Sequence, residues 1–190
     1  MNAESRPAAP VLIAITLPVL LAVAVAAIAI TARVRGVNGT GDIEPSLATG
    51  PLAVVPIDAP DATGAECVAV LAALPTALPA NDGPLPPRPL AEPAPDGVHA
   101  WAAAPRPVVL RCGLPRPAEL TPTAALLEVD GVRWLELDDG VPHPVVVTYV
   151  AVDRPVYVVL TTPIDAGSGP LQMVSEVVQA VLPATPVTVR

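Results

Sequence analysis

The sequence contains no lysine and no phenylalanine, and only two cysteines, two tryptophans and two tyrosines in 190 residues. Each shortage excludes something. With aromatics at 2%, the core has to be assembled from Val, Leu, Ala and Ile rather than from large rings. All ten basic residues are arginine, against eighteen acids, for a net charge of −8. Beyond Arg35, seventeen acids face seven arginines, which leaves that part at −10. Such a surface repels phosphate backbones, so no nucleic-acid partner is expected. Two cysteines cannot complete a structural zinc site without help, and the only histidines, His99 and His143, lack the usual short spacing to them. No metal site and no cofactor are expected. The G-x-S-x-G, H-E-x-x-H, Walker A and Rossmann glycine patterns are all missing.

What is abundant is proline, at 27 residues, and apolar side chains, at 52%, with mean hydropathy +0.57. Much of that hydropathy comes from one place. Pro7 to Ala32 carries no charge, and its centre, "VLIAITLPVLLAVAVAAIAI" (Val11 to Ile30), is twenty residues long. In a helix that run rises about 30 Å, the thickness of a hydrocarbon core. Pro18 is tolerated in a membrane helix. The rival reading is a cleaved signal peptide, since Ala27-Ile28-Ala29 fits the small-x-small cleavage pattern. The run exceeds the usual apolar core of a signal, which favours an uncleaved single-pass anchor. Charges flanking the run are nearly balanced. The short N-terminal tail and the cysteine pair favour an extracytoplasmic C-terminal part at the cell membrane.

The expected organisation is a tail and transmembrane anchor over residues 1–36, a Gly-rich linker over 37–51, and an α+β domain over 52–190 with a Pro-rich loop over 75–97. "PLAVVPI" (Pro51 to Ile57) reads as a short strand. "GAECVAVLAALP" places Cys67, Val70, Leu71 and Leu74 at helical spacing, ended by Pro75. "PVVLRCG" alternates, with Val108, Leu110 and Cys112 on one face and Val109 and Arg111 on the other. Asp130-Gly131 between two β-prone runs is a type I′ hairpin signature. "VVVTYVAVDRPVYVVLTT" reads as a second strand pair turning at Asp153-Arg154-Pro155. In the last segment Leu171, Val174, Val178 and Val181 share a helical face that stops at Pro183. The whole predicts a small antiparallel sheet with two helices packed on one face.

Cys67 on the inner helix face and Cys112 on the facing strand are placed to form a disulfide, which an exported chain would keep. Two buried free thiols are the alternative if the domain is cytoplasmic. Thirteen prolines between Pro75 and Pro122 leave that loop unable to hold itself by helix or ladder bonds, so a cross-link there has a purpose.

The candidate chemical groups are few. Arg106, Arg111 and Arg116 cluster in "RPVVLRCGLPRP" and are candidate anion-binding residues, because guanidinium grips carboxylate and phosphate bidentately. The competing expectation, which we favour, pairs Arg111 with Glu128 or Glu136 across the sheet. Trp101 is expected to plug the core. Ser168 reads as a turn before the last helix and His143 as an exposed loop residue. Glu136, Asp138 and Asp139 read as a solvated hairpin end, since no complete Ca²⁺ loop surrounds them. No catalytic residue is assigned.

With "ECxAVLAALP", "AWxxxPxVLRCG", "VDGVxW" and the "RPVYV" strand laid out, the part after Pro51 resembles an actinobacterial family catalogued as domain of unknown function 3515. The resemblance implies one N-terminal membrane segment, an exported domain and the Cys67–Cys112 pairing. It implies no activity, catalytic residue or cofactor. Together these readings predict a non-enzymatic envelope protein that binds a protein or cell-wall component. A hydrolase acting on wall material is the alternative. A cleft holding Arg111, a histidine and a carboxylate would favour the hydrolase.

Overall fold

The computed structural model describes residues 50–137 and 140–189. The expected anchor and most of the linker, together with Asp138 and Asp139, lie outside these residues. Among the described residues no helix is long and apolar enough to cross a membrane.

Two helices and six strands follow in the order α1 (Ala65–Ala73), β1 (Val98–Trp101), β2 (Val108–Leu114), β3 (Leu126–Val129), β4 (Val132–Leu137), β5 (Val146–Ala151), β6 (Tyr157–Pro163) and α2 (Gly169–Val181). A single 3₁₀ turn, Ile164–Ala166, joins β6 to α2. The strands form one sheet in the order β1-β2-β6-β5-β4-β3. Every pairing is antiparallel. Strand β6 therefore inserts between β2 and β5, and the chain closes the sheet from the middle.

Alternation along the strands sorts side chains onto two faces. One face carries Trp101, Val108, Leu110, Cys112, Val132, Trp134, Val158 and Leu160, all fully buried. Both helices pack on it, α1 through Cys67 and Val70 and α2 through Leu171, Val174 and Val178. Each fully buried aliphatic side chain there contributes about 1.5–3 kcal/mol. The opposite face carries a thinner cluster of Leu120, Leu135, Val150, Val152 and Val159, with Val187 of the C-terminal extension against it. The antiparallel sheet, the two helices on one face and the Asp130-Gly131 hairpin follow the sequence expectation.

One expected strand is absent and one strand was not foreseen. "PLAVVPI" is not a strand: of its residues only Leu52 makes a bridge, to Leu90. Pro51 and Pro56 have no N–H to give a ladder. Conversely, β1 arises where the Pro-rich loop was expected to be ending. The loop itself is well anchored. Leu78 and Leu85 are buried and bridge each other. Arg88 donates its N–H to the carbonyl of Ala100 at 2.8 Å, and Ala102 donates to Pro86 at 2.8 Å. A proline-rich segment thus lies along the outer edge of β1 and satisfies part of it, using the few residues that retain a donor.

The glycine of "LRCG" has a local cause. Gly113 has φ +86°, and a Cβ there would strike the backbone of Asp61 and Ala62. Asp61 donates to the Gly113 carbonyl at 3.2 Å. The turn before α1 therefore rests directly on the irregular end of β2, beside Cys112, where the β2–β6 register shifts.

Candidate binding cleft

An open cleft of about 1040 Å³ lies at the β3–β4–β5 end of the sheet. Its position follows from the lengths of the elements. Strand β3 has four residues and pairs Leu126 with Leu135, so β4 runs past it by Glu136 and Leu137. Helix α2 reaches this corner only with its first turns. The space left between is lined by Leu127 and Val129 of β3, Glu136 of β4, Val147 and Tyr149 of β5, and Leu171 and Gln172 of α2. Pro163, Ile164 and Ser168, and Glu119, Ala124 and Ala125 of the β2–β3 connection, also line it.

The lining is mainly aliphatic, with a few polar groups set into it. Tyr149 and Glu136 are direct cross-strand partners. Burial, and secondarily the charge of Glu136, push the Tyr149 phenol above its ordinary pKa. The phenol is therefore a neutral hydrogen-bond donor and not a phenolate nucleophile. Ser168 precedes α2 but its side chain makes no cap bond to the helix. The arrangement can hold an apolar group and offer it a hydroxyl donor and a carboxylate acceptor.

The residues singled out from sequence sit elsewhere. Cys67 and Cys112 form a disulfide with a Cα–Cα separation of 5.5 Å, completely buried between α1 and β2. Arg106 lies in the exposed turn before β2. Arg111 leaves the sheet on the face opposite the disulfide, as expected, but meets no carboxylate. It donates to the carbonyl of Val55 at 3.1 Å, and burial lowers its pKa. The expected partners are out of reach by topology, since β6 and β5 separate β2 from β4 and β3. Glu128 pairs instead with Arg133, at 3.8 Å and largely exposed. Arg116 donates to the carbonyls of Leu120 and Thr188, tying the β2–β3 connection to the C-terminal extension. Two of the three arginines therefore hold backbone, and none lines the cleft. His143 is exposed, and His99 stands edge-on to the buried Trp101 at 4.5 Å between ring centroids.

Sequence reasoning missed Tyr149, Leu127 and Gln172. The alternation in "VVVTYVA" carried the only signal for the first. The register puts Tyr149 opposite Leu160 on the helix face, while the shortness of β3, which leaves that face open, has no sequence signature. Also missed was the burial of Asp153 and Arg154. That turn was expected, but both residues are inside it, 3.3 Å apart, with side chains 8% and 2% exposed.

Residues 15–187 match the family described as protein of unknown function (DUF3515). The chain belongs to that family. No curated protein and no solved structure matches it. The DUF3515 match begins within the apolar run and covers all but the last two described residues. The "LRCG" and "VDGVxW" segments within it are the disulfide strand, with its obligatory glycine, and the hairpin that borders the cleft.

Proposed function

We propose that this DUF3515 chain is a single-pass, membrane-anchored envelope protein whose extracytoplasmic domain binds a partner without catalysing a reaction. The cleft beside β3 is its binding surface. The observation that carries this reading is the lining of that cleft. It joins aliphatic side chains to a neutral tyrosine and to carboxylates, and the groups that would have favoured a hydrolase, Arg111 with His99 or His143, are not among its lining residues. Export is supported by the disulfide, which persists in oxidising compartments, and by the twenty-residue apolar run ahead of the domain.

Two experiments test the two halves. Because both native cysteines are in the disulfide, a Gly41→Cys variant presents one thiol. A membrane-impermeant thiol reagent should label it on intact cells. Labelling only after lysis would place the domain on the other side of the membrane. For binding, a photo-crosslinking residue at Gln172, on the cleft, is compared with one at Glu92, in the exposed Pro-rich loop. A discrete product from position 172 and none from 92 is expected. Hydrolysis of wall material by the purified protein, lost in Glu136→Gln, would overturn the non-enzymatic reading.

A further inference from the structure

The cleft opens onto an edge of the sheet, and hairpin geometry specifies what that edge offers. Asp130 and Gly131 have φ of 48° and 71°, both positive as a type I′ turn requires. In a two-residue hairpin the closing pair, here Val129 and Val132, exchanges hydrogen bonds. Alternation of the ladder then turns the N–H and C=O of Leu126 and Glu128 away from β4. Among the described residues no strand pairs with β3 on that side, whereas Pro86 and Arg88 accompany the outer edge of β1.

Side chains sort the other way. Leu127 and Val129 stand opposite Trp134 and Val132, on the helix face, and line the cleft. Leu127 is 44% exposed. An incoming antiparallel strand would bond at Leu126 and Glu128, and its alternate side chains would enter the cleft beside Leu127, toward Leu171. Main-chain bonds giving affinity and a pocket for every second side chain giving selectivity is how sheet edges capture peptides.

We propose that β3 takes up an extended, cationic segment of a partner protein as an added antiparallel strand. Apolar side chains occupy the cleft, and basic ones between them reach Glu128 on the outer face in place of its exposed partner Arg133. This rests on the reading of the cleft as the binding surface and adds the partner's conformation and charge. Charge selects this occupant over a second copy of the chain: two domains at −10 repel each other, and the exposed Arg133 beside Glu128 offsets only part of the charge that Glu128 and Asp130 give the edge.

The test uses the isotopically labelled full chain in detergent micelles and three synthetic peptides. One alternates valine and arginine. The second alternates valine and glutamate. The third is the first with its arginine amides N-methylated, which keeps every side chain and removes the donors to β3. The valine–arginine peptide should slow hydrogen exchange at the Leu126 and Glu128 amides. The methylated peptide should bind about tenfold more weakly or worse, and the glutamate peptide should not bind. Glu128→Pro removes an outward N–H without removing a bond to β4, so it should keep the parent's near-ultraviolet dichroism and lose the peptide. Equal binding by the methylated peptide, protection at other amides, binding by none of the three, or a sedimenting dimer that Glu128→Pro dissolves would each overturn the proposal. If crosslinks from position 172 persist while the edge amides stay unprotected, strand addition is wrong and the cleft reading stands.

Discussion

The indole N–H of Trp134 donates to the hydroxyl of Ser175 at 2.9 Å, and that hydroxyl donates in turn to the carbonyl of Leu171 at 2.7 Å. All of this is buried. One serine thus joins the middle of β4 to α2, and it sits on the helix whose first turns form a wall of the cleft. Ser175→Ala leaves the indole donor without a partner in a dry site, at a cost of about 1–3 kcal/mol. Trp134→Phe in the Ser175→Ala background should cost less than in the parent, since the orphaned donor goes with it. Urea denaturation of the four proteins measures the coupling. Strictly additive losses would show that the bond contributes nothing.

The disulfide closes a separation of 45 residues. By chain entropy, closing a loop of that length is worth about 4 kcal/mol against the unfolded state. Cys67→Ser and Cys112→Ser should each lower the unfolding free energy by about 2–5 kcal/mol. Reduced parent protein should behave like the variants. Intact mass of protein from the envelope should show both thiols blocked to alkylation until reductant is added.

Arg154 and Asp153 form an ion pair inside the β5–β6 turn. The same guanidinium donates to the Asp153 carbonyl at 3.0 Å and to the Gly131 carbonyl at 2.8 Å. It therefore joins the β5–β6 turn to the β3–β4 turn. Arg154→Met strands a buried carboxylate and should cost about 3–5 kcal/mol. Arg154→Lys should rescue little, because a point charge cannot serve two carbonyls and a carboxylate as the planar fork does. Denaturant midpoints, with amide exchange at Gly131 as the local readout, check both statements.

His99 gives the domain an acid-side sensitivity. Burial lowers its pKa below the usual 6.5. The unfolded chain then binds a proton before the folded one does, so this contribution is complete above pH 6.5 and is lost as the pH falls through the folded value. His99→Gln should narrow the loss of thermal stability between pH 7 and 5 relative to the parent. Superimposable profiles for the two proteins would count against it.

What could be read from the sequence was whatever has a short-range cause. Asp130-Gly131 demands positive φ at two adjacent positions and permits little besides a type I′ hairpin. The spacing of Leu171, Val174 and Val178 admits one helical face. The pairing of Cys67 with Cys112 needed only a helix period meeting a strand period. What failed depends on which strands become neighbours. Arg111 was matched to Glu128 and Glu136 as though β2 lay beside the hairpin, but the return of β6 to the middle of the sheet separates them. Strand β1 exists because Val98–Trp101 ladders onto β2, with the Pro-rich segment bonded along its outer side, and the four residues "VHAW" do not announce that. The cleft is a mismatch of element lengths, a property of no single residue.

The proline-rich run along β1 also sets how far assembly can go. A sheet with two bare edges can stack strand on strand without end, each addition exposing a new template. Here one edge is occupied by a segment largely stripped of donors. Copies of this domain therefore cannot stack β3 of one on β1 of the next into a continuous sheet.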